Sequence, residues 1–330
     1  MNKITERILN QAQAPDLIET LVERLGASDL QSVLPEVYRR RTSKLRPADV
    51  LRQYEQNRFV QPAQVSPQAL LEFDRLAFSL LPVGFEVLQL SPVAPLGTHS
   101  AVAPVDQNKV LTTVRKTEVC ADATGVLALE AARRRKAVYR AGGRPKEETR
   151  LCASQRVLRT QRFEGPASFP HFALLHLCTA GRDRGSYRFE VDALVEQIDY
   201  YLRLFAASRE AGYALGAARL SLAAFDETRL EVLQSEVLDA PRSVGTLAAG
   251  HPDAAFGFDQ ERAGGRGYYL GAGFQLFCQD RSGSEFFIVD GGFTDWTQQW
   301  LSNRKERLLT SGLGSERLVY CFAPELKPPL

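Results

Sequence analysis

No two of the five cysteines, Cys120, Cys152, Cys178, Cys278 and Cys321, form a CxxC pair, which excludes a zinc ribbon and a small disulfide-stapled scaffold. Free thiols in a reducing compartment are expected instead. Long apolar runs are missing too: no stretch offers the roughly 20 apolar residues that a membrane helix needs. Met1, Asn2, Lys3, Ile4, Thr5 and Glu6 carry charge but begin no apolar leader. A cytoplasmic protein without membrane association is therefore expected. Charge of one sign is scarce: at a formal net charge of +2 the chain has no footprint for nucleic acid or an acidic membrane. Basic clusters at Arg39, Arg40, Arg41, Lys44 and Arg46, and at Arg133, Arg134, Arg135 and Lys136, read as solvated helix faces rather than RNA contacts. A Walker A loop, an HExxH helix and a GxSxG elbow are absent, as are internal repeats and low-complexity tracts.

What is present is ordinary globular material. The 330 residues, 44% of them hydrophobic, suffice for one large domain or a core with a smaller companion. Ile8, Ile18, Leu21, Val22 and Leu25 recur at helical spacing. Asp29 is expected to cap a helix through Leu34 and Val37, and Pro47 to open another ending near Tyr54. Residues 61–67, with Pro62 and Pro67, read as a linker. Residues 1–66 are thus expected to be an N-terminal helical segment and residues 67–330 the main domain. A helix at 68–81 carries the stripe Leu70, Leu71, Phe73, Leu76, Ala77 and Leu80 ahead of Pro82. Extended segments are expected at 85–90, 109–118, 157–163, 172–178, 219–224, 267–280 and 285–289. Helices are expected at 124–139, 191–211 and 294–307, followed by a short strand and a last helix. Neighbouring strands read as hairpins, so the expected class is α+β, an antiparallel sheet flanked by helices.

The sharpest chemical signal lies near the C-terminus. An apolar strand through Leu309 ends at Gly312 and Gly314, and a helix begins with Arg317 in its first turn. Glycines let backbone approach a ligand, and an arginine at a helix start can meet a polyphosphate. This stretch resembles motif 3 of the class II aminoacyl-tRNA synthetases, whose arginine contacts the γ-phosphate of ATP, a role the resemblance implies for Arg317. Upstream, Arg266, Tyr268 and Tyr269 with the following residues resemble the tyrosine-rich strand of histidyl-tRNA synthetase and of its paralogue, the ATP phosphoribosyltransferase regulatory subunit. Asp290, Gly291, Gly292, Phe293, Thr294 and Asp295 stand where those families carry a Gly-Gly-Arg-Tyr-Asp segment. On a strand, Tyr269, Gly271, Gly273 and Gln275 share one small, polar face suited to a ligand, while Leu270, Ala272, Phe274 and Leu276 share an apolar one.

Motif 2 of the class is a strand, a loop and a return strand. Residues 156–161, 162–169 and 170–177 have that shape. The resemblance implies the α-phosphate role for Arg159, with Gln161 on the same face in place of the family's glutamate, and places His171 and Phe172 near the adenine. A bidentate guanidinium is what a phosphate undergoing displacement needs. The helix at 68–81 with the strand after Gly84 resembles motif 1, which implies a homodimer. Asp122 and Thr124 resemble the histidyl-type segment that holds the substrate's α-ammonium, although Asp122 is equally placed as a plain N-cap. Arg266, by its place before the tyrosines, is implied to steady the α-phosphate. Apolar Leu174 and Cys178 depart from the histidyl pattern on the return strand, which speaks against histidine as substrate. Only a short tail follows Arg317, so the family's C-terminal anticodon-binding domain is not expected.

The function implied is ATP- and Mg²⁺-dependent activation of an amino acid or small carboxylate as an adenylate. The acceptor is a small molecule, a carrier protein or a protein side chain in preference to tRNA. The alternative is a non-catalytic paralogue that senses an amino acid or regulates a partner enzyme. A metal site at His171, His176 and Cys178 is disfavoured, because on a strand His171 faces away from the other two. His99 and His251 are expected in loops with no identifiable partner.

Overall fold

Two kinds of segment organise the chain: short capped helices near the N-terminus, and alternating strands after residue 84. The computed structural model describes residues 2–161, 167–226, 232, 235–237, 247–259, 261, 262, 264–280 and 282–324. They divide into two compact units, Met1–Gln61 with Thr112–Thr117, and Pro62–Leu111 with Glu118–Leu330.

In the first unit, α1 (Lys3–Gln11) starts at Asn2, whose side chain accepts from the Thr5 amide at 2.8 Å. Helix α2 spans Ala27–Thr42 and has Gly26 at its N-cap. Asp29 is not the cap; it sits in the first turn, where its charge meets the positive end of the helix. Helix α3 (Pro47–Gln56) has proline at its first position, and the Asp49 carboxylate accepts from the Arg46 amide at 3.0 Å. Only Leu9 is buried among the described residues of this unit, and exposed pairs such as Glu36 with Arg39 and Arg40 lie along its helices.

The second unit is built on an eight-stranded sheet, with α4 (Pro67–Ser79) preceding it. In chain order the strands are β1 (Phe85–Val87), β2 (Thr149–Leu158), β3 (His171–Arg182), β4 (Ala218–Ala224), β5 (Ala254–Phe258), β6 (Ala272–Gln279), β7 (Glu285–Thr294) and β8 (Glu306–Leu313). They lie in the order β1-β2-β3-β8-β7-β6-β4-β5, antiparallel except for the outer pairs β1–β2 and β4–β5. This is the expected antiparallel sheet flanked by helices. Period-2 alternation gives the sheet two faces. On β3, Leu175 and Leu177 join the core beneath α4, α6 (Arg188–Glu210) and α8 (Ser315–Phe322). Cys178 and Ala180 face the other way and pack with Leu127, Ala128 and Ala131 of α5 (Ala123–Arg140).

Several expected elements differ. The strand expected at 157–163 is the end of β2, which starts at Thr149. Its polar residues face helix-borne partners: Arg150 pairs with Glu196 at 3.0 Å, and Ser154 donates to Asp74 at 2.8 Å. The strand expected at 109–118 is broken, because Lys109 closes a 3₁₀ turn capped by Asp106, and only Thr117–Val119 is extended. The helix expected at 294–307 is the six-residue α7 (Trp296–Leu301); Ser302 at φ 47° turns the chain out of the helix, and Glu306 already belongs to β8. All five cysteines are free thiols. Among the described residues no helix is long and apolar enough to cross a membrane.

Candidate active site

The sheet face under α5 opens into a cavity of 640 Å³. Its lining joins the end of β2, the return strand β3, the ends of β7 and β8, the start of α5 and the turn before β6. Arg159, Gln161, Phe172, Gly312, Gly314 and Arg317 all line it, as do Asp122, Thr124, Tyr268 and Tyr269. Residues drawn from five places in the sequence therefore meet in one space.

Arg159 leaves the end of β2 with its guanidinium anchored. Nε donates to the Ala121 carbonyl at 2.9 Å, Nη2 lies 3.4 Å from Asp122 Oδ2, and the ring of Phe172 sits 5.3 Å from the guanidinium carbon. Arg317, in the first turn of α8, donates from Nη1 to the Phe287 carbonyl at 3.1 Å. Burial lowers its pKa, the Cys321 side chain opposing and the like charge of Arg159 adding to that effect. Two mutually repelling guanidinium groups bordering one cavity are relieved by an anion between them. Lys109 adds a third cation to the lining.

Next to Arg159 the polar groups of the lining are acceptors and hydroxyls. Asp122 caps α5, its Oδ1 accepting from the Thr124 amide at 2.9 Å and from the Thr124 hydroxyl at 2.6 Å. The Thr124 hydroxyl also shares a 3.1 Å hydrogen bond with Tyr268. The cap and the cavity-lining roles thus coexist in Asp122. Burial alone would raise its carboxyl, but His176, Arg159 and the two Thr124 hydrogen bonds together hold it below its usual value. Beside it, His99 takes the Ala121 amide proton on Nε2 at 3.0 Å, and Glu118 accepts from the backbone amides of Gly97 and His99 and from Gln107, fixing the loop that borders the cavity. His99 is thus partnered, contrary to the expectation. His251, outside this site, also has a partner, Asp199 at 2.9 Å.

Not every expected site residue lies here. The segment from Gly267 is no strand: Tyr268 and Tyr269 donate backbone N–H to the Gly265 carbonyl in a tight turn, and β6 begins only at Ala272. Gly271, at φ 76°, leads into the strand and does not line the cavity. Gly273 and Gln275 occupy the cavity-side face of the sheet but are not part of the lining, since Phe225 and Arg262 lie over Gly273. Arg266 is exposed, its Nε donating to the Arg262 carbonyl, and His171 turns away to Arg156 at 2.9 Å. Residues 162–166, most of the expected motif 2 loop, lie outside the described residues.

Arg262, rather than Arg266, is the buried arginine of this segment. It is 5% exposed, pairs with Asp290 at 2.7 Å and keeps Nη1 unpartnered among the described residues. Asp290 lines the cavity, and burial raises its carboxyl despite that pairing. The ring of Tyr269 lies on Gly292, where a β-carbon would stand 2.5 Å from it. Nothing in the sequence alone singles out Lys109, Arg262 or Asp290, because each becomes visible only through contacts distant along the chain. Among the described residues no cluster of three His, Cys, Asp or Glu side chains could hold a metal ion.

His176 forms part of the cavity floor, opposite Gly312 in the β3–β8 register. Burial pushes its pKa down to about 4, the Asp122 carboxylate opposing and Arg159 assisting. An unfolded chain takes up that proton near 6.5, so between these values the unfolded state binds more protons and stability falls on acidification. Urea unfolding followed from pH 6.5 to 4 should show a loss of roughly 3 kcal/mol from this ring, and His176→Phe should remove that part of the slope.

No family model matches the sequence, and no curated protein does. Solved structures do match. An ATP phosphoribosyltransferase regulatory subunit/histidyl-tRNA synthetase from Bacillus halodurans superimposes with a TM-score of 0.54 at 13% identity, over 79% of this chain and 82% of that one. A histidine–tRNA ligase subunit from Alicyclobacillus acidocaldarius gives 0.54 at 14%, over 80% and 95%. Apo histidyl-tRNA synthetase from S. aureus gives 0.52 at 12%, over 78% and 68%. The sheet order, the flanking helices and these superpositions together show that the chain carries the class II aminoacyl-tRNA synthetase-like catalytic fold.

Proposed function

We propose that this protein activates an amino acid or related carboxylate with ATP, forming an acyl adenylate, and passes the acyl group to an acceptor that need not be tRNA. The observation that carries this reading is the meeting of Arg159 and Arg317, far apart in sequence, at one cavity that also holds Phe172, Gly312 and Gly314. The carboxylate oxygen attacks the α-phosphorus as the bond to pyrophosphate breaks. Little covalent chemistry is asked of the protein, so position and charge supply the acceleration. Arg159 faces the α-phosphate, Arg317 and Lys109 take the outer phosphates, and Phe172 offers a face to the base. Gly312 and Gly314 let the backbone come close. Asp122, Thr124 and Tyr268 receive the ammonium of the acid. Mg²⁺, when bound, would neutralise phosphate charge, and Asp290 is a carboxylate of the lining that could face it.

A homodimer through α4 and β1 belongs to the same reading, and Leu71 (70% exposed) and Val83 (98% exposed) leave apolar surface there. A carrier protein or a protein side chain suits the acceptor better than tRNA. The basic clusters are partly neutralised in place, Arg39 and Arg40 by Glu36, and Arg133 and Arg134 by Glu130. A second reading, a non-catalytic amino-acid sensor that regulates a partner enzyme, draws on Asp122, whose oxygens already serve Thr124 and Arg159.

Amino-acid-dependent ATP–pyrophosphate exchange, run across the standard amino acids, separates the two. Exchange with one or a few acids is the expected result. A melting temperature raised by an amino acid but not by ATP, with no exchange, would replace the ligase reading with the sensor.

A further inference from the structure

We propose that His176 determines which acid is taken: its ring accepts a hydrogen bond from the side chain of the bound amino acid, so the site selects a hydroxyl- or carboxamide-bearing residue over its apolar isostere. This rests on the reading above that the cavity receives an amino acid.

His176 sits on the cavity-side face of β3, between Leu174, which lines the cavity, and Cys178, which is packed in the core beneath α5. It is 1% exposed, and neither Nδ1 nor Nε2 has a hydrogen-bond partner among the described residues. The nearest charged group, Asp122 Oδ1, lies 3.8 Å from Nδ1, beyond hydrogen-bonding reach. Across the sheet stands Gly312, where a β-carbon would approach Nδ1 to 3.0 Å, so glycine there leaves the ring its room. A ring kept only to fill space would be better replaced by an apolar side chain, because buried donors and acceptors without partners are destabilising. Buried polar atoms without partners at the floor of a cavity point to a ligand that completes them.

Its chemistry follows from the ring. Burial keeps the imidazole neutral, so it offers one donor and one acceptor. The Asp122 carboxylate on the Nδ1 side favours the proton there and leaves Nε2 as the acceptor. A ligand must then bring an O–H or N–H. Since Asp122 and Thr124 are assigned to the ammonium, that donor comes from the side chain. A site built around such a bond discriminates strongly against a ligand that lacks it.

The chain has four histidines, so the ring carbon signals of ¹³C-histidine-labelled protein are resolvable by NMR. Standard amino acids are titrated singly, with and without ATP, and isosteric pairs are compared: threonine with valine, asparagine with leucine. The His176 signal, assigned by its loss in His176→Phe, should move with the polar member of a pair at concentrations roughly ten- to hundredfold lower than with the apolar member. His176→Gln, which retains an acceptor, should keep the preference, and His176→Phe should lose it. Should no amino acid move the signal, or should the phenylalanine variant keep the preference, water alone completes the ring and the proposal is overturned. Should His176→Phe fail to fold, loss of the same signal in His176→Gln supplies the assignment. ATP–pyrophosphate exchange with a silent His176 would sink this inference alone; a responsive His176 without ATP binding would sink adenylation and leave His176 as a selectivity residue.

Discussion

Arg317→Ala should lower ATP–pyrophosphate exchange by about 10²- to 10³-fold while leaving the fold intact, the loss typical for removing one donor aimed at developing charge. The side chain is half-buried and makes one hydrogen bond to protein among the described residues, to the Phe287 carbonyl, so little else depends on it. Unfolding free energy should change by no more than about 1 kcal/mol. Arg317→Lys should recover only part of the rate, since an ammonium cannot reproduce the two-pronged geometry of the guanidinium. Arg159→Ala is the less clean experiment: that side chain also holds the Ala121 carbonyl and lies against the Asp122 carboxylate, so stability and exchange should fall together. Full exchange in Arg317→Ala would place the triphosphate elsewhere.

Glu306→Ala should destabilise the protein by about 3–5 kcal/mol, the range expected when one partner of a buried ion pair is removed. Arg135 is 1% exposed, and both members of its pair are sealed between α5 and the sheet. Its Nε and Nη2 donate to the two oxygens of Glu306 at 2.6 and 3.1 Å, Nη1 reaches the Ala180 carbonyl at 3.3 Å, and Tyr139 donates to Glu306 at 2.6 Å. Alanine at 306 would strand a guanidinium between α5 and the sheet with its chief counter-charge gone. Replacing both partners, as Arg135→Met with Glu306→Leu, should restore most of the loss, because the desolvation of both charges disappears with them. Urea unfolding of both variants tests this; a loss below about 1 kcal/mol in Glu306→Ala would mean that water reaches the pair.

Much of this architecture is legible in the sequence alone, and the departures from it share a physical cause. Helices α4 and α5 show in the sequence because each buries a continuous stripe or face, Phe73 and Ala77 on one, Leu127, Ala128 and Ala131 on the other. Strand β2 begins earlier than its sequence suggests because Arg150 and Ser154 look like surface positions; their partners Glu196 and Asp74 come from helices distant in sequence. The end of α7 has no glycine to announce it, since Ser302 takes the left-handed turn. The tyrosine segment read as a strand because its alternation continues that of β6, whereas Gly265 at φ 87° folds it into a turn. Around the cavity, Arg159, Arg317, Asp122 and Thr124 could be picked out by motif order. His176 could not be understood from sequence, because what distinguishes it is a lack of partners.

The ring of Tyr269 against Gly292 ties two distant positions together. At 2.5 Å no β-carbon fits under that ring: a side chain at 292 displaces the aromatic, and a smaller residue at 269 leaves a hollow above the glycine. Displacing the ring would also disturb the turn that presents Tyr268 to Thr124.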